Sequence, residues 1–121
     1  MTTVLVVDDE RLIRWALAQT LSNDFVVHTA TGTDEALGVL EHTSVDAIVT
    51  DLNMPGRSGV DLITTVRDKH PEMRFFVVST FPCRQVMERL QDLCVLACIH
   101  KPFRTAELLR IVKSHLGAPA A

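Results

Sequence analysis

Hydrophobic and polar positions recur along this chain with two different periods. Short apolar runs, most of them rich in β-branched residues, stand at Val4-Leu-Val-Val7, Phe25-Val-Val27, Ala47-Ile-Val49, Phe75-Phe-Val-Val78 and Val95-Leu-Ala-Cys-Ile99. Three of them are continuously apolar rather than alternating, which is the pattern of strands covered on both faces. The run at Phe25 is the weakest of the set.

The segments between these runs follow the helical period. Leu12, Ile13, Ala16, Leu17 and Leu21 fall on one helical face, as do Ala36, Leu37 and Leu40. A third helix is predicted over 59–69 with Leu62, Ile63 and Val66 inward; Ser58 and Asp61 make a capping-box pattern, and Pro71 lies past its end. Val86, Met87 and Leu90 mark a fourth helix. Leu108, Ile111, Val112 and Leu116 mark a fifth over 105–116, with Thr105 as the expected N-cap. Trp15 lies off the clearest stripe of the first helix and is expected to be half-buried packing.

Strands alternating with helices imply βα units and a parallel sheet. The predicted fold is α/β: a flavodoxin-like (βα)5 doubly wound five-stranded parallel sheet in the order 2-1-3-4-5. Residues 1–117 make one domain, and 118–121 are a frayed tail or the start of a linker. The length of 121 residues leaves no room for two ordinary domains, and 47% hydrophobic with 22% charged residues supports a packed core. Twelve basic against fifteen acidic residues exclude a strongly basic nucleic-acid surface. No apolar run approaches the roughly 20 residues that cross a bilayer, and the start lacks a signal-peptide pattern. A cytoplasmic protein without membrane contact is expected. Cys83, Cys94 and Cys98 have no metal-type spacing and read as reduced core thiols.

In such sheets ligands bind outside the carboxyl ends of the strands, where the strand order reverses. The first strand ends in Asp8-Asp9, followed by Glu10. The third ends in Asp51, the fourth in Ser79-Thr80 and the fifth in His100-Lys101-Pro102. Taken singly each is bland: an acidic pair at a helix start, a turn aspartate, a solvated lysine. Together they place carboxylates, a hydroxyl and an ammonium on one sheet edge. Crowded carboxylates repel one another unless a cation or protons intervene. An oxygen-only donor set suits Mg2+. A carboxylate nucleophile, with metal and lysine to neutralise charge, suits phosphoryl transfer.

The motifs Val6-Val-Asp-Asp-Glu10, Asp51-Leu-Asn-Met-Pro-Gly56, Ser79 and Lys101-Pro-Phe103 resemble the receiver domain of two-component response regulators, from Thr3 to Leu116. The start of the chain is similar to the N-terminal receivers of enhancer-binding transcriptional activators. The resemblance implies Asp51 as phosphoacceptor, with Asp9 as a direct and Asp8 as a water-mediated Mg2+ ligand. Asn53 would add its backbone carbonyl, and Asp51 would itself touch the metal. Lys101 would pair with Asp51 or its phosphate, and Lys101-Pro102 would be a cis peptide. Ser79 would be the switch hydroxyl; Thr80 competes, but the family's spacing of 22 positions before the lysine fits Ser79. The implied partners are a histidine kinase or phosphotransfer protein and a second copy docked through the fourth helix, fifth strand and fifth helix. Direct nucleic-acid binding by this domain is not implied. Such a domain catalyses only its own phosphorylation and slow dephosphorylation.

Three residues depart from the family's pattern. Phe81 stands two places past Ser79, where side chains influence the access of water to an acyl phosphate. Cys98 replaces the aromatic residue or histidine that usually swings inward in the fifth strand. Cys94 stands where glycine commonly ends the fourth helix. Cys98 keeps open a receiver-shaped interaction domain with an atypical readout or none. A haloacid-dehalogenase-like phosphohydrolase is the enzymatic rival, but its Asp-x-Asp opening is missing. A flavin-binding module would need a phosphate-cradling loop after the first strand, which is also missing.

Overall fold

In a computed structural model, residues 2–54 and 58–117 are described. The strands are β1 (Thr3–Val7), β2 (Val26–Ala30), β3 (Ala47–Asp51), β4 (Arg74–Ser79) and β5 (Val95–His100), all parallel, in the order β2-β1-β3-β4-β5. The expected strand order is therefore observed. Helices α1 (Arg11–Leu21), α2 (Thr33–His42), α3 (Gly59–Lys69), α4 (Cys83–Arg89) and α5 (Thr105–Leu116) connect and follow them, with a 3₁₀ turn at Gln91–Leu93. The tail at 118–121, and part of the turn expected over Asn53-Met-Pro-Gly56, lie outside the described residues.

Alternate strand residues face opposite layers. Leu5, Val7, Ile48, Phe75 and Val77 pack with Ala36 of α2, Ile63 and Val66 of α3, and Val86 and Leu90 of α4. Val4, Val6, Val49, Phe76 and Val78 pack on the other side with Leu17 and Leu21 of α1 and Leu108 and Val112 of α5. Phe75 and Phe76 are both fully buried, one toward each layer. Each contributes roughly 1.5–3 kcal/mol by leaving water. Burial of β1, β3 and β4 on both faces is what their continuous apolar runs require.

Where the structure departs from the sequence pattern, position in the sheet explains most of it. β2 begins one residue later than Phe25 and extends through His28 and Thr29, because a sheet-edge strand needs no continuous apolar run. On α1 the inward face is centred on Leu17 and Leu21, so Leu12 is 79% exposed and Trp15 63% exposed. The expected inward Leu12 and half-buried Trp15 are both corrected: spaced i, i+3, they share the outward face. The capping box at Ser58 is present in both directions. Thr105 is not the N-cap of α5. Arg104 holds that place, its carbonyl accepting from the Glu107 and Leu108 amides.

Arg67 ties α3 to the segments flanking β4. Its guanidinium donates to the carbonyls of Pro71 at 2.7 Å, Met73 at 2.8 Å and Leu93 at 2.7 Å, and lies 4.9 Å over the Phe75 ring. The turn held this way ends at Cys94, whose φ of 54° and ψ of 45° are left-handed. The conformation suits glycine, since a Cβ in this region costs about 1–2 kcal/mol. Cys94→Gly relieves that strain and adds unfolded-chain entropy of about 0.5–1 kcal/mol. The expected net gain is about 0.5–1 kcal/mol, read as a higher urea midpoint with an unchanged slope.

Candidate functional site

The carboxyl ends of β1, β3, β4 and β5 meet at one rim of the sheet. Backbone pairing sets the approach: the Lys101 amide donates to the Ser79 carbonyl at 2.8 Å, and the Leu52 amide to the Val78 carbonyl at 3.1 Å. Asp8, Asp51 and Ser79 are buried, whereas Asp9 is exposed. Carboxylate oxygens of Asp8, Asp9 and Asp51 all lie within 4.8 Å of one another. Lys101 Nζ donates to Asp51 Oδ2 at 2.8 Å, with Asp8 Oδ2 at 3.8 Å and Glu10 Oε1 at 3.6 Å.

Asp8, Asp9, Asp51, Ser79 and Lys101 thus all arrive at this rim. The Asn53 amide donates to Asp51 Oδ1 at 2.9 Å, and its side-chain nitrogen donates to Thr80 Oγ1 at 3.3 Å. Ser79 Oγ accepts from the Phe81 amide at 2.9 Å. Of the two candidate hydroxyls, Ser79 is buried and Thr80 exposed. His100 is exposed, as its alternation with Lys101 predicts. The Lys101-Pro102 bond is cis, as expected.

Three residues contribute in ways the sequence did not indicate, Glu10 having been noted there only as part of the first motif. Glu10 joins the lysine's ion pairs, and its amide donates to Asp8 Oδ1 at 2.8 Å. Arg14 Nη1 donates to the Asp8 carbonyl at 2.9 Å, one helical turn beyond Glu10. Gly59 opens α3 against the end of β3: a Cβ there would stand 2.4 Å from the Asp51 carbonyl oxygen and 2.8 Å from Leu52 Cα. Only glycine permits that approach. The sequence shows Gly59 next to a cap residue but cannot show what lies opposite it.

Burial pushes the Asp8 carboxyl up to about 6, with the negative charges of Asp51 and Asp9 adding to it against the Glu10 amide and Lys101. Burial also disfavours the Lys101 charge. The hydrogen bond with Asp51 and the charges of Asp8, Asp51 and Glu10 outweigh it, and the lysine is held above its usual range. Asp8 Oδ2 has no hydrogen-bond partner among the described residues. A buried carboxylate oxygen with no hydrogen bond, beside two further carboxylates, is a donor set fitted to a hard divalent cation.

Fold and strand-end chemistry define an α/β domain with an acidic, lysine-braced site at its switch point. The chain belongs to the response regulator receiver domain family, whose model matches residues 4–113. It is 33% identical over 96% of its length to the hydrogenase transcriptional regulatory protein HoxA of Cupriavidus necator, covering 24% of that protein. It is 30% identical over 98% of its length to the DNA-binding transcriptional regulator NtrC of Azospirillum brasilense, covering 26% of it. The chain thus spans about a quarter of each of these two relatives. The crystal structure of response regulator TrrA from Thermotoga maritima, in complex with Mg(2+)-BeF, superposes with a TM-score of 0.82 at 28% identity, covering 94% of this chain and 98% of that one. Receiver domains are signalling domains of two-component systems. No helix among the described residues is long and apolar enough to cross a membrane.

The raised Asp8 carboxyl has a consequence for metal-free stability. In the unfolded chain it ionises near 3.8, in the folded protein near 6. Its contribution is therefore fully present below 3.8 and is lost as pH rises through about 6. In EDTA, Asp8→Asn is expected to raise the unfolding free energy by about 1–3 kcal/mol at pH 8 and to change it little near pH 3.5. Urea unfolding at the two pH values measures the difference.

Proposed function

We propose that Asp51 accepts a phosphoryl group from a histidine kinase or phosphotransfer protein and that the change is read at the domain's surface. The observation that carries this is the buried Asp51 carboxylate, bound at 2.8 Å by Lys101 and set against Asp8 and Asp9. Mg2+ bound by Asp8, Asp9, Asp51 and the Asn53 backbone carbonyl would supply the positive charge that this cluster calls for. An Asp51 oxygen attacks phosphorus as the bond to the donor's imidazole nitrogen breaks, and the electron pair leaves with the imidazole. Lys101 and the Asn53 amide already hold the two Asp51 oxygens, so the nucleophile is oriented before the donor arrives.

Ser79 is the switch hydroxyl in this reading. Its oxygen accepts from the Phe81 amide, which leaves its hydrogen free to donate to the product phosphate. Phosphorylation places about two negative charges beside it. A shift of Ser79 would carry Thr80, Phe81 and Pro82, and with them the start of α4. The exposed Leu12 and Trp15, just past the acidic pair, offer the donor protein an apolar footing beside the site. The receiver unit spans 1–117, with 118–121 leading out of it as tail or linker. By likeness to HoxA and NtrC, both transcriptional regulators by name, a transcription-regulating output belongs to the reading, and the family resemblance adds a second copy docked on α4, β5 and α5.

Acetyl phosphate and Mg2+ are expected to label wild-type protein with one acyl phosphate per chain and to leave Asp51→Asn unlabelled. A phosphate-affinity gel reads both; persistent labelling of the variant would move the acceptor elsewhere. Phe81, 57% exposed two places past Ser79, is the apolar side chain to which this reading assigns hindrance of water at the acyl phosphate. Phe81→Glu is expected to shorten the phosphorylated lifetime several-fold, followed as loss of labelled protein after the donor is removed.

A further inference from the structure

The contact between α4 and β5 contains a feature that the phosphoryl chemistry does not use. On α4, Cys83, Val86, Met87 and Leu90 stand at i, i+3, i+4 and i+7, a single helical face. Val86 and Leu90 are buried on the sheet, and Met87 packs beside them, so Cys83 continues the inward stripe at its first turn. Across from it, Cys98 of β5 packs into the same apolar layer. The α4–β5 contact sets these two half-buried thiols beside each other, close enough for each to act on the other's charge. Cys94 is exposed, in the left-handed turn before β5.

We propose that Cys83 and Cys98 form a reversible disulfide, made by a hydroperoxide-class oxidant, that clasps the first turn of α4 to β5 and restrains the Ser79–Cys83 segment. The Cys83 thiolate attacks the hydroperoxide, the O–O bond breaks, and Cys83 becomes a sulfenic acid with release of water or an alcohol. The Cys98 sulfur then attacks the Cys83 sulfur; hydroxide leaves and takes the Cys98 proton as water. Two thiols lose two electrons and the peroxide gains them. A dithiol reductant reverses the step by exchange.

The order of attack follows from the surroundings. Burial, the Cys83 contact and its charge push the Cys98 thiol up to about 12, so it stays protonated at neutral pH. Such a thiol is a poor first nucleophile toward peroxide; it serves as the resolving partner because it lies beside the Cys83 sulfur once that sulfur is a sulfenic acid. The location gives the bond its consequence. Only Thr80, Phe81 and Pro82 separate Ser79 from Cys83, and Cys98 stands two positions before His100, the β5 residue paired with Ser79. A covalent tie there would hold still what phosphorylation has to move. This consequence, though not the disulfide itself, rests on the phosphoacceptor reading.

The test treats purified protein with hydrogen peroxide under non-reducing conditions and counts free thiols with a maleimide. The expected count falls from three to one in wild type and from two to none in Cys94→Gly, with the chain monomeric and two hydrogens lighter. Dithiothreitol restores both. Cys83→Ser and Cys98→Ser should form no internal cross-link. A count that stays at three, dimers joined through Cys94, or sulfinic acid without a cross-link would overturn the disulfide. Acetyl-phosphate labelling of the oxidised form is expected to be several-fold slower than that of the reduced form, and equal rates would overturn the restraint. Reduced protein that does not label at all would instead sink the phosphoacceptor reading and leave the thiol count standing.

Discussion

The rest of this structure is arranged around one electrostatic constraint: carboxylates of Asp8, Asp9 and Asp51 are gathered within 4.8 Å of one another at the end of a parallel sheet. Two of them are buried, where the repulsion of like charges is least screened. Among the described residues Lys101 is the compensating charge, and it is shared among Asp51, Asp8 and Glu10. One ammonium cannot balance four carboxylates; burial first, and the charges of Asp51 and Asp9 after it, push the Asp8 carboxyl up. The site is therefore short of positive charge, the condition under which divalent-cation binding is favoured.

Holding that charge in place falls to the backbone. β1 and β3 are adjacent because the strand order reverses there, which brings Asp8 and Asp51 side by side. Gly59 lets the first turn of α3 come against the Asp51 carbonyl, and the Ser58 box fixes where that turn begins. β4 pairs with β5 so that Lys101 leaves the sheet next to Ser79. The acidic site is thus rigid on its β1 and β3 sides. On the β4 side it passes into a short segment and a helix of seven residues, the lighter structure through which a change can travel.

That same side carries the departures from the family's pattern. Cys98 lacks the bulk of an aromatic residue, but it faces Cys83 rather than an empty gap. Cys94 takes the left-handed turn that suits glycine, with Arg67 binding the carbonyls around it. The three cysteines, unremarkable by spacing, therefore divide into a paired set within the α4–β5 contact and a single exposed one.

Much of the architecture was legible in the sequence. Short, β-branched, continuously apolar runs read as strands buried on both faces, and the 3.6-residue stripes between them as their covering helices. Ser58 and Asp61 marked a helix start because capping is a local interaction. The acidic pair, Asp51, Ser79 and Lys101 were legible as a set because each ends a strand, and parallel strands bring their carboxyl ends to one rim. What tertiary structure decided was everything that depends on the opposing surface. It turned Leu12 and Trp15 outward, because the axis of α1 over the sheet sets which stripe is inner. It made Gly59 necessary, because the Asp51 carbonyl lies where its Cβ would be. It brought Cys83 to Cys98 across fifteen positions of chain. Periodicity along a chain reports which residues want burial; only packing determines what each of them meets.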